Sequence, residues 1–310
     1  MSGLENNITP FQLRSWLLVA VVPAILGVVG RNGWPTVLLT ACVSGAVCCC
    51  ISTFCSDRLP KWLCNLELIW LTVFLGKIAQ ISTGCWESAK GMNFIPAFLL
   101  ALAAWTANKG LHRSARVGVT LQWLVLPVLA VVLLSGTVDV HLKWIRTEWE
   151  IPDGTLVAIL LFPCAMVFVP LDGKRLRYSG FLLGVVAVVS TVLIQGILGS
   201  GISGNTIYKF SKGITLFGIA ERFEALISCA LTIGMFAFMV LILSMIQYLT
   251  KKVFPAFAEW GIWLYAAVAY GVMCILPNNQ WLMPLGGVIF WGLLPAVTQG
   301  IGSQKIIEKK

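Results

Sequence analysis

Lys77 is the charged residue whose position most directly suggests chemistry, because it lies near the middle of the apolar stretch 66–86. A lysine inside a membrane helix costs about 2.5–3.5 kcal/mol on insertion scales unless it is paired or hydrated. Gln80 and Gly84 follow it at helical spacing and extend its face, so we expect the lysine to point into a helix bundle. Two roles stay open: a ligand or proton site, and a structural ion pair.

A second set of polar residues shares one face of the apolar stretch 218–249. Its members follow helical spacing and are Glu221, Glu224, Ser228 and Thr232. A polar stripe on a membrane helix usually faces protein or water and not lipid. We therefore predict that the last three form one wall of a ligand site. Glu221 falls at the outer mouth, where packing of a loop is the expected role.

Prolines interrupt two of the apolar stretches at matching places. The first stretch contains Pro23-Ala24-Ile25-Leu26-Gly27, and the sixth contains Pro163-Cys164-Ala165. Because proline lacks an N–H and frees the carbonyl one turn earlier, each place offers polar backbone groups to a ligand. The candidate ligand-binding residues here are Pro23, Ala24, Gly27, Pro163, Cys164 and Ala165. An ordinary kink is the alternative for either helix.

The elements that would hold these residues are membrane helices. Hydrophobic residues make up 58% of the 310-residue chain and charged residues only 11%, against about 25% charged in soluble domains. Apolar windows predict ten spans, at 11–30, 35–55, 66–86, 92–107, 117–138, 155–171, 179–198, 224–249, 257–276 and 280–298. We predict an all-α polytopic membrane protein with one membrane domain, 1–310. The ten spans divide into two candidate repeats of five helices each, a first at about 8–138 and a second at about 154–300.

Lysine and arginine are distributed unevenly between the two sets of loops. With a cytoplasmic N-terminus, thirteen of the 22 fall on the cytoplasmic side, seven fall in outer loops, and Arg14 and Lys77 lie within spans. The positive-inside rule therefore predicts that both termini are cytoplasmic, with a tail at 301–310. Arg14 and Glu67 lie close to the cytoplasmic ends of their spans, where we expect both side chains to reach the headgroups.

The sequence gives no reason to propose an enzyme. H-E-x-x-H, G-x-S-x-G and the Walker A loop are absent, and the glycine-rich run 199–204 lacks a βαβ setting. The ten cysteines show no zinc spacing and are interpreted as small apolar residues, with palmitoylation near Cys55 as the alternative. We therefore predict no cofactor and no metal site. We also predict no nucleic-acid partner, because the net charge of +9 reflects the uneven distribution of Lys and Arg between the loops.

Four short motifs occur in order along the chain. They are Ile8-Thr9-Pro10-Phe11-Gln12-Leu13, Asn32-Gly33-Trp34 with Val37-Leu38-Leu39, Gly110-Leu111-His112-Arg113-Ser114-Ala115-Arg116, and the run 206–216 followed by Glu221-Arg222-Phe223-Glu224-Ala225. Together they resemble the spore germination permeases, which are the B subunits of endospore germinant receptors. That family is a branch of the amino acid-polyamine-organocation transporter superfamily. The E-R-x-E run is the most specific of the four.

The resemblance implies ten transmembrane helices in the LeuT-like, five-plus-five inverted-repeat transporter fold, and residence in the inner membrane of the spore. It also implies a complex with a germinant receptor A subunit and a lipoprotein C subunit, and recognition of a small nutrient germinant, commonly an amino acid. The matched motif residues are Arg116, Glu221, Arg222 and Glu224. The link from Gly27 to Asn32 is shorter than in the family, which suggests a first helix without its full outer half.

These observations favour a germinant-sensing subunit of the membrane. In this hypothesis a ligand bound between helices one, three, six and eight favours one packing of the bundle over another, through its different affinity for the two states. One alternative is a proton-coupled amino-acid transporter that uses Lys77 or Glu224. The other is a non-binding scaffold that assembles partner subunits, which the short first helix suggests.

Overall fold

A computed structural model describes residues 8–29, 32–53, 60–85, 94–136, 140–168, 178–199, 223–275 and 281–298. These residues contain helices and no strand. The helices, numbered in chain order, are α1 (Pro10–Val28), α2 (Trp34–Thr53), α3 (Lys61–Ser82), α4 (Phe94–Asn108), α5 (Leu111–Gly136), α6 (Gly154–Ala165), α7 (Ser179–Leu198), α8 (Phe223–Val253), α9 (Ala258–Ile275) and α10 (Leu282–Thr298). Short 3₁₀ turns extend α3 through Cys85 and α6 through Phe168.

Seven of the described helices are long and apolar enough to cross a membrane: α1, α2, α3, α5, α7, α8 and α9. The helices α4, α6 and α10 are apolar but shorter. Large apolar side chains also remain exposed on the outside of the bundle, such as Trp123 (74%) and Trp260 (77%). A surface of this kind needs lipid around it. The chain is therefore an all-α, multi-pass integral membrane protein.

The first helix begins at a well-formed cap. The Thr9 side chain accepts a hydrogen bond from the Gln12 amide, and the Gln12 side chain accepts one from the Thr9 amide, which together make a capping box. Pro10 occupies the first turn, where its missing N–H costs nothing. The helix continues through Pro23 to Val28 over 19 residues. The expectation that the first helix lacks its outer half is therefore wrong.

The helix α8 lies at the centre of the bundle, with α1, α3, α4, α5 and α9 packed around it. A second tight pair is α2 with α7, and α6 packs on α2, α10 and α1. Small residues bring α2 and α7 close together, since a Cβ added at Gly184 would lie 2.7 Å from the Cβ of Ala41. The helices α1, α3 and α8 are each mostly buried in the bundle, and α6 is buried along nearly its whole length, whereas α5 and α9 expose most of their surface.

Two helices begin earlier than the apolar windows predict. The helix α3 starts at Lys61, directly after Pro60 at its N-cap and five residues before the predicted span, and its first turns include the polar residues Lys61 and Asn65. The helix α5 starts at Leu111, after Gly110 in the left-handed conformation at φ 99°. Windows that exclude charged residues miss such polar first turns. As a result, Glu67 and Arg116 lie inside helices and not at their margins.

Candidate functional site

Lys77 is buried, with 8% of its surface exposed, and lies on α3. Its Nζ donates a hydrogen bond of 2.8 Å to Oε1 of Gln80, the residue that the sequence placed on the same face. Because α3 starts at Lys61, the lysine lies about 24 Å along the helix. The lysine is thus buried in the bundle, on the face that it shares with Gln80.

The proline of α1 faces the central helix. A Cβ added at Gly234 of α8 would overlap the Pro23 ring and lie 3.1 Å from the carbonyl oxygen of Val19. Because Pro23 has no N–H, the carbonyl of Val19, four residues earlier, lacks its usual helical hydrogen-bond donor. The freed carbonyl therefore points at the backbone of α8. Ala24 is fully buried and Gly27 is partly buried, so the predicted α1 residues line a helix contact.

The polar stripe on α8 is present in part within the described residues. Ser228 is buried, and its carbonyl accepts a 2.7 Å hydrogen bond from the Thr232 hydroxyl. The Thr232 side chain also makes a hydrogen bond with Cys85, in the 3₁₀ turn at the end of α3. Glu224 lies in the first turn of α8, but its side chain is outside the described residues. Thr232 of the stripe therefore joins α8 to α3, and it lies two residues before Gly234, the residue of α8 that contacts Pro23.

The break in α6 lies elsewhere in the bundle. The α-helix ends at Ala165 and continues as the 3₁₀ turn Met166–Phe168. The Met166 amide donates to the carbonyls of Pro163 and Cys164. At 12 residues the α-helical part spans about 18 Å, too little for a hydrocarbon core of about 30 Å. The Cys164 thiol lies 2.9 Å from the Cys48 thiol on α2. Cys164 and fully buried Ala165 are thus packed against protein.

The contacts of the predicted ligand residues fall into two groups. One group joins Pro23 of α1 to α8 and, through Thr232, to Cys85 of α3. The other joins Cys164 of α6 to Cys48 of α2. Aromatic packing connects α6 to the first group's helices, because the Phe162 ring stacks on Phe74 of α3 at 5.7 Å between centroids. Helices α1, α3, α6 and α8 therefore do meet, and their meeting place is largely apolar.

Other predicted motif residues lie at the surface or beyond the described part of the chain. Arg116 is exposed in the second turn of α5, and its Nη2 lies 2.9 Å from Nε2 of His112. Glu221, Arg222, the run 206–216 and Cys55 are all outside the described residues. The first half of the E-R-x-E motif therefore has no structural description here. Arg116 contacts its own helix and solvent.

Glu67 is a buried acid that the sequence interpretation placed wrongly. It was expected to reach the headgroups, but its exposed fraction is 0%. Its Oε1 accepts a hydrogen bond of 2.7 Å from the indole Nε1 of Trp291 on α10, and its Oε2 has no hydrogen-bond partner among the described residues. The early start of α3 moves Glu67 about 9 Å into the helix. Pro60 was the signal in the sequence that could have predicted this burial, because a helix that starts after it places Glu67 almost two turns inside the helix.

The Asn32-Gly33-Trp34 motif has a structural explanation. The Asn32 amide group donates to the Ile151 carbonyl at 2.9 Å, its Oδ1 accepts from the Asp153 amide at 2.8 Å, and its carbonyl accepts from Gln195 at 2.7 Å. A Cβ on Gly33 would overlap the Glu148 carbonyl. These bonds hold the segment 140–153, between α5 and α6, against the start of α2 and the end of α7. Sequence reasoning noted the motif but not this partner.

A large open cleft lies between α3, α9 and α10. Its volume is about 770 Å³, and its lining is almost entirely apolar. The lining residues include Trp70 and Val73 of α3, Gly271 of α9, and Phe290 of α10. In the part of the chain that the structure describes, no group of three His, Cys, Asp or Glu side chains could hold a metal ion.

The fold and these buried polar residues define the class of the protein as an α-helical, multi-pass integral membrane protein. A comparison with protein-family models gives no match, and a comparison with curated proteins gives no match either.

Proposed function

We propose that the chain is the B-type membrane subunit of a spore germinant receptor, with a five-plus-five inverted-repeat fold, that senses a small nutrient germinant such as an amino acid. The proposal combines the four motifs of the sequence with the helix contacts of the bundle. In this proposal the protein resides in the spore inner membrane with both termini cytoplasmic. Its partners are a germinant receptor A subunit and a lipoprotein C subunit.

The observation that carries the proposal is a symmetry in the helix contacts. The helix α1 packs on α5 and α7, and α6 packs on α10 and α2. The helix α3 packs on α9, and α8 packs on α4. Adding five to each helix number, with α6–α10 returning to α1–α5, converts each of these six pairs into another of the six, although the close α1–α8 pair has no equally close α3–α6 counterpart. Two structural repeats of five helices would produce this pattern.

The same symmetry relates the two proline helices. Under it α1 exchanges with α6, and both carry a buried proline late in the helix, Pro23 and Pro163. In transporters of this architecture, ligands bind where such helices are interrupted near the repeat interface. The short α-helical part of α6 fits an interrupted helix. The buried Lys77 and the α8 stripe lie on the two helices, α3 and α8, that the symmetry also exchanges.

Lys77 and Glu224 are the residues to test in spores. The variants Lys77→Ala and Glu224→Gln remove one charged group each, and a hydrogen bond to a charged group contributes about 1.5–3 kcal/mol. We expect the germinant concentration for half-maximal germination to rise about tenfold or more, with normal amounts of protein in the membrane. Lys61→Ala, at the exposed start of the same helix, is the matched control and should respond as wild type. Wild-type responses from both test variants at normal protein levels would refute this site.

A proton-coupled transporter is the second candidate, and the buried charged residues Lys77 and Glu67 favour it. The two functions differ in what the isolated chain does. In proteoliposomes that contain this chain alone, a transporter accumulates radiolabelled amino acids when a proton gradient is applied. A sensing subunit should show no accumulation above empty liposomes. Uptake that a protonophore abolishes would replace the sensing proposal with transport.

A further inference from the structure

We propose that the Glu67 carboxyl is a proton-binding site inside the helix bundle, and that Trp291 on α10 changes its packing when the proton binds. The site differs from the ligand residues of the germinant proposal and does not rest on that function. It depends on three features: a fully buried acid, its bond to an indole on a distant helix, and an irregular turn at that indole.

The first feature is the isolation of the acid. Glu67 is 0% exposed, and only its Oε1 has a hydrogen-bond partner among the described residues. An ionised carboxylate without a cationic partner is very costly to bury, and an intramembrane acid is a functional site by default. Trp70, three residues later on the same face, also buries an Nε1 without a described partner. One unpaired oxygen and one unpaired N–H therefore lie a turn apart.

The charged and titratable groups around Glu67 are few. On α3 itself Cys64 lies one turn earlier, and Lys252 at the end of α8 is close enough to interact electrostatically with that cysteine. The described residues of α4 and α10 contain no ionisable side chain. The other ionisable residues of α3 and its 3₁₀ extension are Lys61, Lys77 and Cys85. Those with described side chains on the helices that pack on α3 are Arg14 of α1, Cys229, Tyr248 and Lys251 of α8, and Glu259, Tyr265, Tyr270 and Cys274 of α9; the side chain of Glu224 on α8 is outside the described residues. No described residue forms a salt bridge with Glu67.

The second feature is the partner. The Trp291 indole N–H donates to Oε1 of Glu67 across 224 residues of sequence. A hydrogen bond to an ionised acceptor is roughly twice as strong as one between neutral groups. When Oε2 takes a proton from water, the carboxylate becomes a neutral acid and its hold on the indole weakens. The indole is therefore placed to report the charge of the acid.

The third feature is the turn that carries the indole. Residues Gly287–Leu293 of α10 form a π-helix, and Trp291 lies within it. A π-helical turn contains an extra residue relative to an α-helix, and such turns occur frequently at functional sites. Conversion to a regular α-helix rotates the following residues by about 100° around the axis. In the proposed switch, loss of the extra residue would turn Trp291 away from Glu67, whereas the π-helical form holds the indole on the acid.

The aromatic neighbours connect this site to the centre of the bundle. The Trp291 ring packs edge-on against Phe74 of α3 at 5.0 Å and against Phe162 of α6 at 5.6 Å between centroids. Phe162 also packs on Phe238 of α8 at 4.8 Å and directly precedes Pro163. Movement of Trp291 would therefore change the packing at the end of α6. A proton at Glu67 is coupled by contact to the helix with the proline break.

The test follows Trp291 by ¹⁹F NMR in the full-length protein labelled with 5-fluorotryptophan in detergent. Trp291→Phe assigns the resonance. We expect the Trp291 resonance to move in one titration step between about pH 5 and about pH 9, the range in which buried carboxyls can titrate. In Glu67→Gln, which keeps the shape but not the proton exchange, the step should be lost. The resonance of Trp123, exposed on α5, serves as the internal control.

Two results would overturn the proposal. The first is a Trp291 resonance that does not move over this pH range in the wild-type protein. The second is a titration step that persists in Glu67→Gln. If Glu67→Gln does not fold, Glu67→Met replaces it, since an apolar side chain of similar length often restores stability at a buried charge. The experiment needs no germinant, so its outcome is separate from that of the germination assay.

Discussion

Glu67 and Lys77 lie ten residues apart on α3, and both are buried, but their hydrogen-bond partners differ in kind. The Lys77 ammonium bonds to Gln80 on its own helix, within reach of local sequence. The Glu67 carboxyl bonds to Trp291 on α10, which no local pattern indicates. A long lysine side chain can also extend toward water, whereas a glutamate two turns inside a helix cannot. The acid is therefore the more strictly buried of the two.

Gly234 allows a close contact between α1 and α8, and its substitution is a test at the scale of one residue. In Gly234→Ala the added methyl group overlaps the rigid Pro23 ring, so one helix must move. Overpacking of this kind costs about 1–3 kcal/mol. We expect a lower melting temperature in detergent, measured by a thiol-independent thermal assay such as circular dichroism.

Gly271 provides the matched control for that substitution. It also lies inside a helix, α9, but an added Cβ would have no atom within 4 Å. Gly271→Ala should be neutral or raise the melting temperature slightly, because alanine is favoured over glycine in a helix by up to about 1 kcal/mol. Equal melting temperatures for the two variants would show that α1 and α8 do not meet at Gly234.

At the scale of elements, two segments depart from simple spans. The helix α6 gives way to a 3₁₀ turn after Ala165, and α10 contains the π-helix Gly287–Leu293. The two elements pack on each other. Pro163 predicted an interruption of α6, whereas apolar composition gives no indication of the π-helix in α10. The segment 140–153 is a third such element, because Thr36 of α2 and Gln195 of α7 bond to its backbone, while its described regular structure is limited to the 3₁₀ turn Leu142–Trp144.

The Asn32 side chain should control the order of the segment 140–153. Asn32→Ala removes the bonds to Ile151 and Asp153, and buried hydrogen bonds of this kind contribute about 0.5–1.5 kcal/mol each. We expect the amide hydrogens of residues 146–153 to exchange several-fold faster, measured by hydrogen-deuterium exchange and mass spectrometry. Thr147→Ala, at an exposed position of the same segment, should leave the exchange unchanged. Unchanged protection in Asn32→Ala would mean that backbone contacts suffice.

At the scale of the whole molecule, contacts group the loops at two ends of the bundle. At one end the segment 140–153 meets Asn32 before α2 and Gly196 at the end of α7. At the other end Gln247 near the end of α8 bonds to Asn108 at the end of α4, with distances of 3.1 and 3.3 Å. The Lys and Arg distribution assigns the second end to the cytoplasm, as a prediction of the sequence.

The sidedness can be measured with two single cysteines added to the protein. Thr147→Cys lies in the segment 140–153, and Lys109→Cys lies just after α4. We expect a membrane-impermeant maleimide to label Thr147→Cys in intact protoplasts, and to label Lys109→Cys only after the membrane is permeabilised. The native protein without either substitution is the background control. The opposite labelling would invert the topology, and labelling of both from outside would contradict the grouping of the loops.

The sequence alone determined the class of the protein and the approximate position of its helices. Length and apolar composition are local properties, and a helix of apolar residues satisfies its own backbone in a membrane, so each span can be recognised without its neighbours. The predicted span 179–198 coincides with α7, and the others differ by a few residues at polar turns. The buried Lys77 was predictable for the same reason.

Only the tertiary structure decided which polar groups meet. The bond between Glu67 and Trp291 and the bonds between Asn32 and residues 151–153 join positions more than a hundred residues apart. Such contacts depend on how helices pack, and packing is selected by shape over the whole bundle and not by local composition. The candidate ligand residues illustrate the limit, because the prolines were recognised but their contacts with Gly234 and with α2 were not.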